Sequence, residues 1–271
     1  MRALRYLAVA LLLTLPAFSF GWGGEGHQIV ALIAEKHLSP AIQQQIKDLL
    51  DGAEISDAEI ANWADQIRNE RLDTRAWHYV NIPLEADGFD RKRDANHGDN
   101  VIDKITDFSH ILADKSKPKK DRAEALKFLV HFVGDLHQPL HCAERNHDKG
   151  GQDVMLDFPG QDKPCNLHFV WDTLLIRQYI DRGRIADYAY SIDARIPAKS
   201  IDDLSKGTPI DWANESRAVA AKYVYAGFPQ NSSPQRVEAR YIEGSKVIVE
   251  QQLARGGLRL AAILKTALDG K

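Results

Sequence analysis

Apolar residues crowd the stretch from 125 to 136 so densely that a helix there would be buried on nearly every side. Phe128, Leu129, Val130, Phe132, Val133 and Leu136 surround His131 and Asp135. Upstream, Ile29, Leu32 and Ile33 fall on one face of a first amphipathic helix that ends near Leu38. Ser39-Pro40 then supplies an N-cap and a first-turn proline for a second helix running to about Leu50. Ser56-Asp57-Ala58-Glu59 has the form of a capping box, opening a third helix through Ile60, Trp63, Ala64 and Ile67 with Asp65 on it. Residues 76–82 look extended, and a polar loop follows to about His97. Helices are expected over 99–114 and 121–138. A long connection, 139–167, contains DVMLDF as a short strand element before a helix carrying His168 and Asp172. Residues 211–226 and 234–269 complete the pattern, the last helix being long, with Gly256-Gly257 marking close packing or a kink. The pattern predicts a mainly α, single-domain protein without internal repeats.

The first 21 residues stand apart. Arg2 and Arg5 precede an apolar run from about Leu7 to Leu15, and small residues follow at Ser19 and Gly21, the form of a secretory signal. The run is too short to span a membrane. Export to the periplasm or medium is therefore expected, with residues 22–271 as the mature domain. Cleavage after Gly21 would expose the α-amine of Trp22, a group able to ligate a cation together with its own carbonyl. The alternative is a Trp22 that is only a core aromatic. Removing Arg2 and Arg5 from a chain of formal net charge −3 makes the domain more acidic. Such a domain attracts a polyanion only through a local positive site, such as metal ions. Cys142 directly follows His141 and Cys165 precedes His168 by three residues, so a Cys142–Cys165 disulfide is expected in an exported chain, with thiolate ligation of zinc as the alternative.

The candidate chemistry sits on the buried helix. His131 and Asp135 are four apart and share a face, while Pro139 ends the helix and delivers His141 from the turn beyond. The four-residue step returns at His168 and Asp172. A buried charge needs a partner, which is either a metal or a structural ion pair. Collected, the candidates are Trp22, His27, Asp65, His78, His131, Asp135, His141, His168 and Asp172. Nitrogen and carboxylate donors suit zinc, and the set exceeds the three or four groups that one ion takes.

Particular segments carry a resemblance: WGGEGH at 22–27, NWAD ending at Asp65, HYVN from His78, HFVGDLHQPLH at 131–141, GGQDV from Gly150, NLHFVWD at 166–172 and ARGGLRLAAIL at 254–264. Over nearly all of residues 22–271 the chain resembles the zinc-dependent S1/P1 type I nucleases, whose fold relatives include the bacterial zinc phospholipases C. The resemblance implies a helical bundle with three zinc ions per chain. Asp65, His78, His131 and Asp135 would hold one, and His141, His168 and Asp172 a second. The third would take the α-amine and carbonyl of Trp22, the imidazole of His27 and the far oxygen of Asp135. His137 is not a family ligand and reads as a helix-end histidine. The implied activity is hydrolysis of single-stranded DNA and RNA to products with a 5′-phosphate, with 3′-nucleotidase activity, by a monomer without a membrane anchor. Asp65, Asp135 and Asn81 would be catalytic, with Asp65 orienting the attacking water. Asn81, Asp99 and Asn166 would face the substrate, although Asn166 reads equally well as a cap for the helix starting near His168. Asn81 departs from the family, because fungal members carry Asp there. Two other functions compete. A zinc phospholipase C is opposed by Asp172, where those enzymes carry Glu, and by Asn166. A non-catalytic zinc-stabilised export protein would hold its metals in closed coordination.

Overall fold

A computed structural model describes residues 22–228 and 234–269, so the expected leader at 1–21 lies outside the described residues. The chain begins with α1 (Gly24–Lys36) and α2 (Pro40–Leu49), joined where Ser39 Oγ accepts from the Ile42 amide at 3.3 Å. The Ser-Pro start thus behaves as its chemistry dictates. The third helix does not. Asn62 divides it into α3 (Ala58–Ala61) and α4 (Trp63–Ile67), and no side-chain cap forms. Ser56 is captured by α1 instead, its amide and hydroxyl donating to Glu35 at 3.1 and 2.8 Å. A tertiary acceptor has displaced the local one.

Residues 76–82 are extended only in their second half, because a 3-10 helix, Leu72–His78, occupies the first. The polar segment before His97 contains α5 (Arg91–Asp94). Then α6 (Val101–Ala113) and α7 (Lys119–Leu136) pack side by side across a short connection. Every residue of α7 from Phe128 to Leu136 is buried, which makes it the central helix. It stops at Leu136, with a 3-10 turn, Pro139–His141, beyond the cap residue His137. Proline has no amide hydrogen to extend the ladder.

The connection that follows forms a small sheet. Its central strand β1 (Met155–Asp157) pairs antiparallel with β2 (Cys165–Asn166) and parallel with β3 (Gln235–Arg236). Next, α8 (Leu167–Phe169), a π turn (Val170–Leu174) and α9 (Leu175–Tyr179) form one helical run carrying His168 and Asp172. Two helices that the pattern did not anticipate, α10 (Ile185–Asp193) and α11 (Ile201–Ser205), precede α12 (Pro209–Val219) and α13 (Ala239–Asp269). The last helix is unbroken, so its glycine pair serves packing rather than a kink. A Cβ at Gly257 would lie 2.5 Å from Ile33 Cβ, so only glycine lets α13 approach α1 this closely. Among the described residues no helix is long and apolar enough to cross a membrane.

The expected disulfide is not formed: Cys142 and Cys165 are free and not within bonding distance. The buried Cys142 thiol donates to the Leu136 carbonyl at 3.2 Å, whereas Cys165 stands in β2 opposite Leu156. Their histidine neighbours converge, but the two thiols are committed to different surroundings, and a disulfide demands close, aligned Cβ atoms.

Candidate metal centre

Stretches far apart in sequence deliver the centre. His27 comes from α1, Asp65 from α4, His78 from the end of its 3-10 helix, and His131 and Asp135 from α7. His141 comes from the turn after α7, and His168 and Asp172 from the run that starts with α8. All eight side chains are buried. Asp135 is the hub. Its Oδ2 lies 2.9 Å from His78 Nδ1 and 3.5 Å from His131 Nε2, and its Oδ1 lies 3.4 Å from His27 Nε2. Asp65 Oδ1 stands 3.6 Å from His131 Nε2 and 3.7 Å from His78 Nδ1.

Three groups have donor atoms close enough to share an ion: His27, Asp65 and His131; His78, His131 and Asp135; His141, His168 and Asp172. His131 belongs to two of them, so those two are fused. No cysteine takes part in any of the groups found among the described residues, which also sets aside the thiolate alternative. Gly134 makes room for this fusion. A Cβ there would fall 2.7 Å from His27 Nδ1, and its absence lets the His27 ring stack on His131 with centroids 3.7 Å apart.

The protons show that these residues fit a cation. His131, His141 and His168 donate Nδ1–H to the carbonyls of Ala61, His78 and Gly150, at 2.9, 2.7 and 2.7 Å. Each ring therefore turns Nε2 inward with its orientation fixed, the usual arrangement behind a metal-ligating imidazole. Burial and repulsion from His141 lower His168 to about 3, and burial lowers His141, so both rings are neutral near pH 7. Their Nε2 lone pairs nevertheless face each other at 3.1 Å. His27 Nδ1 and Nε2, His78 Nε2, His131 Nε2 and Asp135 Oδ1 are buried without hydrogen-bond partners. Unpaired buried polar atoms are costly, and a cation is a partner that Asp135 Oδ1 and one nitrogen of each of these rings can share. Burial also lowers His27 and His78. His131 is the exception: burial works against its charge, but Asp135 and Asp65 carry it up to about 9. Burial would raise those two carboxyls, and charged His131 holds both well below the usual range. The donor set of imidazole and carboxylate suits zinc.

A cleft of about 280 Å³ opens onto His78, His141 and His168, and Arg68, Arg75, Tyr79, Asn81, Lys149 and Gln152 complete its walls. A larger hollow of about 510 Å³, between Glu35 and Tyr190, contains none of the candidate ligands. Asn81 is thus brought to the centre. Asp99 is not among the residues lining the cleft; it is exposed and engages Trp77 Nε1 at 3.1 Å and Lys104 at 3.4 Å. Asn166 Oδ1 accepts from the Phe169 amide at 2.7 Å, which makes it the cap of α8. Trp22 is fully buried, and the amide of Gly23 donates to the Asp172 carbonyl at 2.6 Å, so the start of the described chain abuts the centre. His137 donates Nδ1–H to the Val133 carbonyl and accepts from Arg259 at 2.9 Å, outside the three groups.

Two neighbours escaped the sequence reading. Arg68 pairs with Asp65 at 3.2 Å, and Gln138 donates to Asp172 while accepting from the Leu140 amide. The signal was present, since Arg68 lies one helical turn past Asp65 and Gln138 sits between two motif histidines.

A mainly helical domain built around a buried centre of imidazoles and carboxylates is the class that this fold and site define. Residues 22–269 match the S1/P1 nuclease family, and the chain belongs to it. Similar proteins include Endonuclease 2 of Arabidopsis thaliana, 29% identical over 90% of this chain and 89% of that protein. Nuclease S1 of Aspergillus oryzae is 27% identical over 94% of each chain. Nuclease P1 of Penicillium citrinum is 28% identical over 89% of this chain and 95% of its own.

Proposed function

We propose that this protein is a zinc-dependent endonuclease that hydrolyses phosphodiester bonds of single-stranded DNA and RNA, leaves 5′-phosphates and also removes 3′-phosphate from nucleotides. The observation that carries the reading is that His78, His141 and His168, drawn from two of the buried imidazole and carboxylate groups, open onto one cleft whose rim holds Arg68, Arg75 and Lys149. By position, the expected sets of Asp65, His78, His131, Asp135 and of His141, His168, Asp172 would each hold an ion, with His27 and the Trp22 terminus holding a third. Zinc supplies Lewis acidity at a phosphoryl oxygen and a water acidic enough to ionise near neutral pH.

The chain's own groups do the rest. Asp65, restrained by Arg68, accepts a hydrogen bond from the attacking water and so aims it at phosphorus. Asn81 offers an amide to the substrate in the place where a carboxylate would repel it. Arg75 and Lys149 give a locally positive entrance to a protein of formal net charge −3. Tyr79, 39% exposed at the cleft, offers a ring face to a base, which a strand free of pairing can present and a duplex cannot. Asn166, already a cap through its carbonyl oxygen, acts on substrate only through what remains of its amide, and Asp99 acts from outside the cleft. The leader at 1–21 supports a secreted or periplasmic location. A monomer accords with a centre assembled entirely from one chain.

The discriminating assay measures acid-soluble nucleotide from denatured DNA and RNA against phosphocholine from lecithin, with and without zinc, and identifies the product ends. Nucleotide release that depends on zinc and yields 5′-phosphate is expected. Phosphocholine release alone, or full nuclease activity after complete zinc removal, overturns the reading. Terminal sequencing of the exported protein, together with metal analysis, should give Trp22 and three zinc ions per chain.

A further inference from the structure

Between His141 and His168 the chain makes a loop whose backbone would not hold itself in place. Asn146, His147 and Lys149 adopt φ of 51°, 63° and 57°, and Gly150 and Gly151 follow at 65° and 80°. Left-handed conformations are disfavoured for residues with side chains, and a run of them persists only where the surroundings impose it.

Asp148 supplies the constraint. Its Oδ1 accepts from the Arg145 amide at 3.0 Å, the Gly151 amide at 3.1 Å and the Tyr225 hydroxyl at 3.0 Å. Its own amide donates to the Arg145 carbonyl at 3.1 Å, which closes the turn. Asp148 is only 7% exposed, so water competes little for these bonds. Tyr225 follows the π turn Ala220–Val224 beyond α12, and the Arg145 guanidinium lies 4.4 Å from its ring centre. Arg145 Nη1 also donates to the Phe228 carbonyl at 2.6 Å. The loop is thereby fastened to a distant part of the chain.

The other end of this fastening is the metal centre. The Gly150 carbonyl accepts His168 Nδ1–H at 2.7 Å, which obliges the ring to present Nε2 to His141 and Asp172. Position 150 must be glycine, because a Cβ there would collide with the Leu140 carbonyl and stand 3.3 Å from His168 Nδ1. Lys149 and Gln152 of the same loop reach the cleft.

We propose that Asp148 and Tyr225 are positioning residues for the His141, His168 and Asp172 group. By holding Gly150 in place they fix the tautomer and orientation of His168, and they set the affinity of that one group for its cation without touching it. The proposal rests on the three-zinc reading given above. Groups that orient a ligating imidazole from behind typically change metal affinity about 10- to 100-fold.

The test compares the zinc-loaded exported protein with its Tyr225→Phe and Asp148→Asn variants during titration with a graded chelator. Bound zinc is counted by elemental analysis, and the absorption of the cobalt-substituted forms reports ligand geometry. Tyr225→Phe removes one hydroxyl and leaves the ring beneath Arg145, so it decides the matter even where Asp148→Asn does not fold. Expected is the loss of one zinc at roughly 10- to 100-fold lower chelator concentration, the other ions keeping wild-type resistance, with an altered cobalt spectrum and unchanged circular dichroism. Release at the wild-type concentration, or equal weakening of every ion, overturns the proposal while leaving the metal centre intact. A wild-type protein that holds no zinc overturns the underlying reading and the proposal with it.

Discussion

His141 Nε2 and His168 Nε2 face each other 3.1 Å apart, and neither carries a proton to bridge them, because each ring has its hydrogen on Nδ1 and donates it to a backbone carbonyl. Two neutral lone pairs held so close repel unless a cation lies within reach of both. The backbone that fixes the rings therefore also fixes the demand for metal, and Asp172 Oδ2, 3.2 Å from His168 Nε2, completes that demand with an anion.

Metal removal should cost stability as well as activity. A site saturated at a thousand times its dissociation constant contributes about 4 kcal/mol to folding. In a domain of this size, each kcal/mol moves the melting temperature by about 2–4 °C. Exhaustive chelation should lower the midpoint by at least about 8 °C, and added zinc should restore it. An unchanged melting curve in metal-free protein would count against every metal assignment made above.

Asp135→Asn should reduce hydrolysis of denatured DNA by at least about 100-fold, the scale of one preorganised electrostatic contribution. Its two oxygens serve His78 and His131 on one side and His27 on the other. Amide replacement removes the charge that joins them. Zinc content should fall in parallel, and a variant with full zinc and full activity would contradict the role of Asp135 as hub.

Gly134→Ala tests the fit of α1 against α7. The added methyl would stand 2.7 Å from His27 Nδ1, and both Gly134 and His27 are buried. Overpacking of this kind costs about 1–3 kcal/mol. The variant should melt lower and hold less zinc, because His27 leaves its stack on His131. If thermal midpoint and zinc content both match the parent, the close approach is not limiting.

Asp193 joins α10 to α1 and gives a pH signature remote from the centre. Burial alone would raise its carboxyl, but hydrogen bonds from Lys36 and His37, at 2.7 and 2.6 Å, outweigh burial and hold it below the usual value of 3.8. A carboxyl depressed by folding stabilises above its unfolded pKa, and that stabilisation is lost as pH falls through the folded value. Asp193→Asn should therefore cost about 1 kcal/mol at pH 5. The gap between variant and parent should close as the pH is taken below 3.8. A gap that widens on acidification would show the sign to be wrong.

Local geometry made part of this protein legible before any fold was known. The four-residue steps from His131 to Asp135 and from His168 to Asp172 follow from helical periodicity. The end of α7 shortly before Pro139 follows from a missing amide hydrogen, and the burial of α7 from apolar residues on all sides. Even so, the second step runs through a π turn, which residue spacing does not announce.

Other features required the whole molecule. Ser56 had the makings of a cap, yet Glu35 from another helix took its hydroxyl, because side-chain competition for a donor is settled by whatever packs nearby. Cys142 and Cys165 flank converging histidines but do not pair, since adjacency along the chain leaves side-chain direction free. Residue type and period alone marked which residues could ligate a metal and which helix would be buried. That His27 lies on His131 through the gap at Gly134, and that a carbonyl at Gly150 aims His168, emerged with the folded chain, because such meetings depend on how distant segments close upon one another.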